Sequence, residues 1–179
     1  MSIVIRLATD IEEIRVCTAL EHHWTTDLVW QMDAREQSDG MQLAFRSVRL
    51  PRTLRARYPR SVDELPARWE NGEPILVAED GDRIVGYLHL ILEDQEGGGW
   101  ARNLAVAPRQ RRRGIGTALL QAAANWLRQR NLNRLTLEMT TKNYPAICLA
   151  QKLGFGFCGY NDRYYASQDI ALFFSKSLR

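Results

Sequence analysis

The sequence predicts an α/β (α+β) domain in which one mixed, twisted sheet is flanked by helices. Three observations carry this. Two apolar runs, 75–79 and 84–92, are joined by Asp80-Gly81-Asp82-Arg83, the composition of a tight hairpin turn. Ile115, Leu119, Ala122, Ala123, Trp126 and Leu127 recur at helical spacing over 114–130. The second half of the chain then runs strand, helix, strand, helix.

Taken in order, 3–7 alternates as a first strand. Thr9 with Glu12 reads as a capping box that starts a helix through Ala19. The stretch 21–69 has no clean period and is rich in Trp, Arg and Pro, so short helices and loops are expected there. After the 75–92 hairpin, Gly97-Gly98-Gly99 reads as a flexible loop and 100–106 as a strand. The helix over 114–130 ends in Arg128 and Arg130, where cations suit the helix dipole. A strand over 135–139 follows, then a helix over 145–153 with Pro145 in its first turn and Gly154 as its stop. The runs 155–160 and 170–178 close the sheet. A chain of 179 residues has the size of a single domain, 1–179.

Composition excludes several classes. No apolar run approaches the roughly 20 residues of a membrane helix, and the N-terminus has no signal-like pattern. Cys17, Cys148 and Cys158 are odd in number and widely spaced, as expected of reduced thiols in a cytoplasmic protein. His22 and His23 are adjacent and would point apart, so no metal site is expected. Net charge is +3, yet it is unevenly placed. No acidic residue lies between Gly97 and Leu137, a stretch holding Arg102, Arg109, Arg111, Arg112, Arg113, Arg128, Arg130 and Arg134. A second basic run, Arg46, Arg49, Arg52, Arg55, Arg57 and Arg60, reads as a solvated face.

The first basic run enters a helix through Arg111-Arg112-Arg113-Gly114-Ile115-Gly116. A helix N-terminus offers free N–H groups and about half a positive charge, which suits a phosphate. Gly114 and Gly116 would let it approach the backbone. A dinucleotide fingerprint needs a third glycine where Leu119 stands, and a P-loop needs a Gly-Lys-Ser/Thr that is absent. Nucleic acid is a weaker fit, because the arginines cluster at one helix start and no binding motif of that class is present.

This arrangement resembles the phosphate-loop signature of the GNAT superfamily of N-acetyltransferases. The strand Asn103-Leu104-Ala105-Val106 precedes the loop, and Asn143-Tyr144-Pro145-Ala146-Ile147 through Lys152-Leu153-Gly154-Phe155 resembles that superfamily's second motif. Trp24-Thr25-Thr26-Asp27, Glu138-Met139-Thr140, Gly154-Phe155, Cys158-Gly159, Tyr165 and Asp169 with Ala171-Leu172 are similar to the streptothricin (nourseothricin) acetyltransferase branch. That branch implies antibiotic resistance as a role.

The resemblance implies a sheet splayed at the strand of Leu104 and Val106, and acetyl-CoA as cosubstrate with a small primary amine as acceptor. Nucleic acid and membrane are not expected partners, and a homodimer is compatible with it. The pyrophosphate would rest on Arg111, Arg112, Arg113, Gly114, Ile115, Gly116 and Thr117. The pantetheine arm would pair with the edge at Leu104 and Val106, and Asn143 would contact CoA. The Leu104 amide would polarise the thioester carbonyl.

Two departures stand out. The superfamily's strand acids fall on Arg102, Asn103 and Ala105, and its tyrosine falls on Ala150. Glu138 is then the candidate base, with Tyr144, Tyr160, Tyr164 or Tyr165 as replacement acid. Trp24, Asp27, Glu138, Tyr165 and Asp169 are the expected acceptor-binding residues, with Trp30 as a further cation–π candidate. The alternatives are a protein or peptide N-acetyltransferase, and a catalytically weak acyl-CoA-binding protein.

Overall fold

The structure is a computed structural model that describes residues 3–93 and 97–179. It contains β1 (Ile3–Leu7), α1 (Ile11–Ala19), β2 (His23–Gln37), β3 (Gly40–Arg57), α2 (Leu65–Glu70), β4 (Ile75–Asp80) and β5 (Arg83–Glu93). Then follow β6 (Gly98–Val106), α3 (Ile115–Arg128), β7 (Arg134–Thr140), α4 (Tyr144–Lys152), β8 (Gly156–Asn161) and β9 (Ala171–Ser177). The main sheet has the order β1-β4-β5-β6-β7-β9-β8, and β2 with β3 forms a separate ribbon. The mixed sheet flanked by helices is the fold class the sequence predicts.

The strand alternation divides the interior in two. Leu76, Ala78, Leu88 and Leu90 meet Leu119, Leu120, Ala123 and Leu127 of α3 on one face. Val77, Tyr87 and Ala105 meet Ile14 and Cys17 of α1 and Leu65 of α2 on the other. Leu120 is buried although the sequence reading left it off the apolar face of α3.

Three expectations are corrected. The α1 cap is Asp10, whose carboxylate accepts from the Glu12 amide, and Thr9 instead donates its own amide to Glu13. Gly98 and Gly99 belong to β6 rather than to a loop. A Cβ on Gly99 would lie 2.6 Å from Leu127, so glycine is required there by helix-to-sheet packing. Residues 94–96, just before that predicted loop, lie outside the described residues.

The largest correction is the 21–69 stretch, most of which is a long antiparallel hairpin of 15 and 18 residues, with α2 its one helix. Gln37 pairs with Gly40 across a two-residue turn. Register slips between Thr26 and Leu28, opposite Pro51, a residue that sheets tolerate at bulges. Trp30 and Phe45 anchor the ribbon: Trp30 packs on Phe174, and Phe45 on Phe157 and Tyr160.

β6 and β7 run parallel but pair only from Gly98↔Arg134 to Ala101↔Leu137. Beyond Ala101 the two strands part, and the sheet opens into a V at Arg102–Val106.

Candidate active site

The V is where the sequence motifs converge. On its β5 side, β6 remains paired, with Asn103 opposite His89 and Leu104 opposite Leu88. The register slips between His89 and Leu90, which leaves Arg102 as a bulge residue. Ala107 donates its amide to Val85, so by alternation the Leu104 and Val106 amides face the gap. An unpaired strand edge inside a fold is a template for an extended ligand.

The α3 N-terminus closes one end of this gap. Gly114 is its N-cap with φ 85°, a left-handed conformation, and no side chain caps the helix. Arg112 is also left-handed, at φ 65°. The first-turn amides therefore point outward without a side-chain acceptor, as an anion site requires. The two glycines differ in role. Gly114 has open space where a Cβ would go, whereas a Cβ on Gly116 would lie 3.3 Å from Leu149 of α4. Gly116 is thus also a helix-packing glycine. Arg111 is a strap: its guanidinium donates to the carbonyls of Val106 and Glu21. Arg113 donates to Gln110. The side chain of Asn143 caps α4 by accepting from the Ala146 amide.

A cavity of about 290 Å³ lies on the α1–α2 face, lined by Arg60, Arg68, His89, Arg102, Asn103, Tyr164 and Tyr165 among others. Glu138 sits beside it with its side chain 3% exposed, paired to Arg60 at 2.5 Å. Tyr164 donates to the other oxygen of Glu138 at 3.4 Å. Tyr165 is buried, and burial with the nearby Glu138 charge pushes its phenol far above the usual range. Tyr58 donates to the Arg102 carbonyl, and burial raises its phenol pKa as well.

Glu138 and Tyr165 are thus brought together. The other expected acceptor residues are engaged elsewhere. Asp27 accepts from Thr53 inside the ribbon bulge. Asp169 pairs with Lys142, whose carbonyl accepts the indole N–H of Trp24. Trp30 stacks on Phe45. Ala150, at the superfamily's tyrosine position, is wholly buried in the core.

Sequence reasoning missed several site residues. His89 is 2% exposed and bonds Glu73 at 2.6 Å. Burial lowers its pKa despite the carboxylate. His22 bonds the Tyr87 hydroxyl at 2.9 Å, and burial lowers its pKa too. The signal for His89 was a lone polar residue inside the apolar run 84–92. Arg60 was assigned to a solvated face, yet it is the partner of Glu138. Arg55 and Arg57 of the same run line a neighbouring groove with His22 and Tyr58. Among the described residues no cluster could hold a metal ion, and no helix is long and apolar enough to cross a membrane.

The splayed strand and uncapped helix agree with a family match. Residues 43–155 match the acetyltransferase (GNAT) family. The chain belongs to this family. It is 31% identical over 152 residues to streptothricin acetyltransferase of Streptomyces lavendulae, covering 82% of this chain and 78% of that protein. Among solved structures, nourseothricin acetyltransferase matches with a TM-score of 0.84 at 25% identity, covering 100% of each chain. A structure from Bacillus anthracis in complex with acetyl coenzyme A matches with a TM-score of 0.77 at 16% identity, covering 99% of each chain. This GNAT protein is an N-acetyltransferase that uses acetyl-CoA as cosubstrate.

Proposed function

We propose that this GNAT enzyme acetylates a primary amine of a small molecule, with streptothricin-like amines the first class suggested by its relatives. The observation that carries the reading is the open edge of β6, whose Leu104 and Val106 amides face the V beside the uncapped start of α3. In this reading the pyrophosphate of acetyl-CoA sits on the amides of Arg112, Gly114, Ile115, Gly116 and Thr117. Arg111 shapes the loop from behind, Arg113 adds charge, and Asn143 meets CoA from the start of α4. The pantetheine arm runs along Leu104 and Val106 as an added strand.

The amine reaches the thioester through the cavity on the opposite face. Its lone pair attacks the carbonyl carbon, and the oxyanion that forms is held by the Leu104 amide. One such fixed donor is worth roughly 3 kcal/mol of transition-state stabilisation. The carbon–sulfur bond then breaks, and CoA leaves as thiolate. Glu138 takes the amine proton, directly or through water, while Arg60 holds its carboxylate in place. Tyr164 supplies a proton toward the thiolate, while Tyr165, whose phenol is held protonated by burial and the Glu138 charge, is a poor acid. Asp27, Trp24 and Asp169 are held in other contacts and take no part in this reading.

Calorimetric titration with acetyl-CoA, followed by thiol release against a panel of amines that includes streptothricin, tests this reading. Micromolar binding with amine-dependent thiol release is expected. Absence of acetyl-CoA binding overturns it.

A further inference from the structure

We infer that Tyr58 is a positioning residue for acetyl transfer. Its hydroxyl fixes the β6 bulge at Arg102 and so aims the Leu104 amide at the thioester carbonyl, while Arg60, two residues on, fixes Glu138 on the other arm of the V. The inference rests on the acetyl-transfer reading above and adds a residue that acts through others rather than on the reacting atoms.

The bulge is the weak point of the strand that carries the oxyanion donor. Ala101 is the last β6 residue paired to β7, and Asn103 is paired to His89 of β5. Arg102, between them, has no register partner on either neighbouring strand. A bulge interrupts the ladder, so the backbone there can turn unless another group holds it. That group is the Tyr58 hydroxyl, which donates to the Arg102 carbonyl at 2.7 Å. Leu104 lies two residues further along, so a rotation at Arg102 swings its amide.

The hydroxyl is itself held in place. Tyr58 donates its amide to the His22 carbonyl at 2.9 Å, and its ring meets the His22 ring edge-on at 5.9 Å. His22 bonds the Tyr87 hydroxyl, and Tyr87 stands on β5 opposite Ala105. Tyr58 is therefore referenced to β5, the side on which β6 stays paired. Burial holds its phenol pKa well above the usual value, so it remains a donor and is no source of a proton for the thiolate.

The same short segment reaches the other arm. Pro59 follows Tyr58 and restricts the backbone. The Arg60 guanidinium then lies 5.2 Å from the ring centroids of both Tyr164 and Tyr165 and donates to Glu138 of β7. Residues 58–60 thus bridge the V from the bulge to the base. The oxyanion donor and the base stand on strands that part after Ala101, and this bridge sets their separation. Catalysis is sensitive to such spacing, since a misplacement of about 1 Å can cost about a hundredfold in rate.

Tyr58→Phe removes the hydroxyl alone and is the first test. With the first responsive amine as acceptor, kcat should fall about tenfold while KM for acetyl-CoA stays within about twofold. Isotope-edited infrared spectra of bound, carbonyl-labelled acetyl-CoA supply a readout that a merely structural role would not move. The Leu104 hydrogen bond lowers the carbonyl stretch in the wild type, and Tyr58→Phe should return it toward the value of free acetyl-CoA. Pro59→Gly keeps both donors and loosens the bridge, so it should show the same two changes to a smaller extent, and it serves if Tyr58→Phe does not fold. A wild-type kcat or an unmoved stretch in the folded variant overturns the inference and leaves the acetyl-transfer reading standing. A wild-type protein that does not bind acetyl-CoA overturns both.

Discussion

Arg60 donates two N–H groups to a single oxygen of Glu138, at 3.1 and 2.5 Å, across 78 residues of sequence. The pair ties the segment after the ribbon to the strand β7 at the edge of the V. Because the Glu138 side chain is 3% exposed, removing either partner strands a charge away from water. Arg60→Ala and Glu138→Ala should each cost about 3 kcal/mol, with the double variant losing much less than the sum. Denaturant unfolding of the cycle measures this. Glu138→Gln separates structure from chemistry. If Glu138 accepts the amine proton, kcat falls by about a hundredfold or more while KM for acetyl-CoA holds. A kcat within about twofold of wild type would assign Glu138 to positioning alone.

Gly99→Ala should destabilise the fold. Its Cβ would sit 2.6 and 2.7 Å from the two terminal methyls of Leu127, a core residue with no exposure. Overpacking of this kind costs about 1–3 kcal/mol. Adding Leu127→Val to the Gly99→Ala background should recover part of the loss, because the second change removes the atoms that clash. Two losses that simply add would show that the strain lies in the β6 backbone instead.

Legibility in the sequence followed locality. β4, β5, β7 and α3 each carry their own period and turn signals within a dozen or so residues, and each is found where the pattern placed it. The ribbon has no such period. Most of β3 is exposed on both faces, and the slip opposite Asp27 resets the alternation halfway along. Its one clear signal was Asp39-Gly40 at the turn. The site divides the same way. The proposed phosphate loop, Leu104 and Val106 lie within one short stretch, so their placement at the V and at the start of α3 was legible from local pattern. Arg60, Glu73 and His89 become neighbours of Glu138 and Arg102 only through folding. No spacing rule links them.

Gly114→Ala should separate backbone strain from packing. Nothing lies within 4 Å of the added methyl, so the only penalty is the left-handed backbone at φ 85°. That penalty is about 1–2 kcal/mol for a residue with a Cβ. The variant should relieve it by re-aiming the first amides of α3, so acetyl-CoA affinity falls along with stability. Calorimetry on the folded variant checks this. Unchanged affinity would mean that the α3 amides do not hold the cosubstrate.

Acid should weaken the fold before the carboxylates titrate. Burial lowers the pKa of both His89 and His22. The unfolded chain therefore takes up these protons near pH 6.5, about the value for a free histidine, while the folded chain resists them to lower pH. Their stabilising contribution is fully present above about pH 6.5 and is lost as pH falls through the folded values, at up to about 1.4 kcal/mol per pH unit for each histidine. Glu13, held below its usual range by Arg6, adds a further loss only at more acid pH. Urea unfolding between about pH 5 and pH 8 should thus show a slope that His89→Gln reduces by about one proton. The variant will also lose stability at every pH, since Glu73 keeps Arg68 but loses its imidazole partner. The slope, not the midpoint, reports the titration. A variant that keeps the full wild-type slope would show that His89 takes its proton equally well in the folded and unfolded chain.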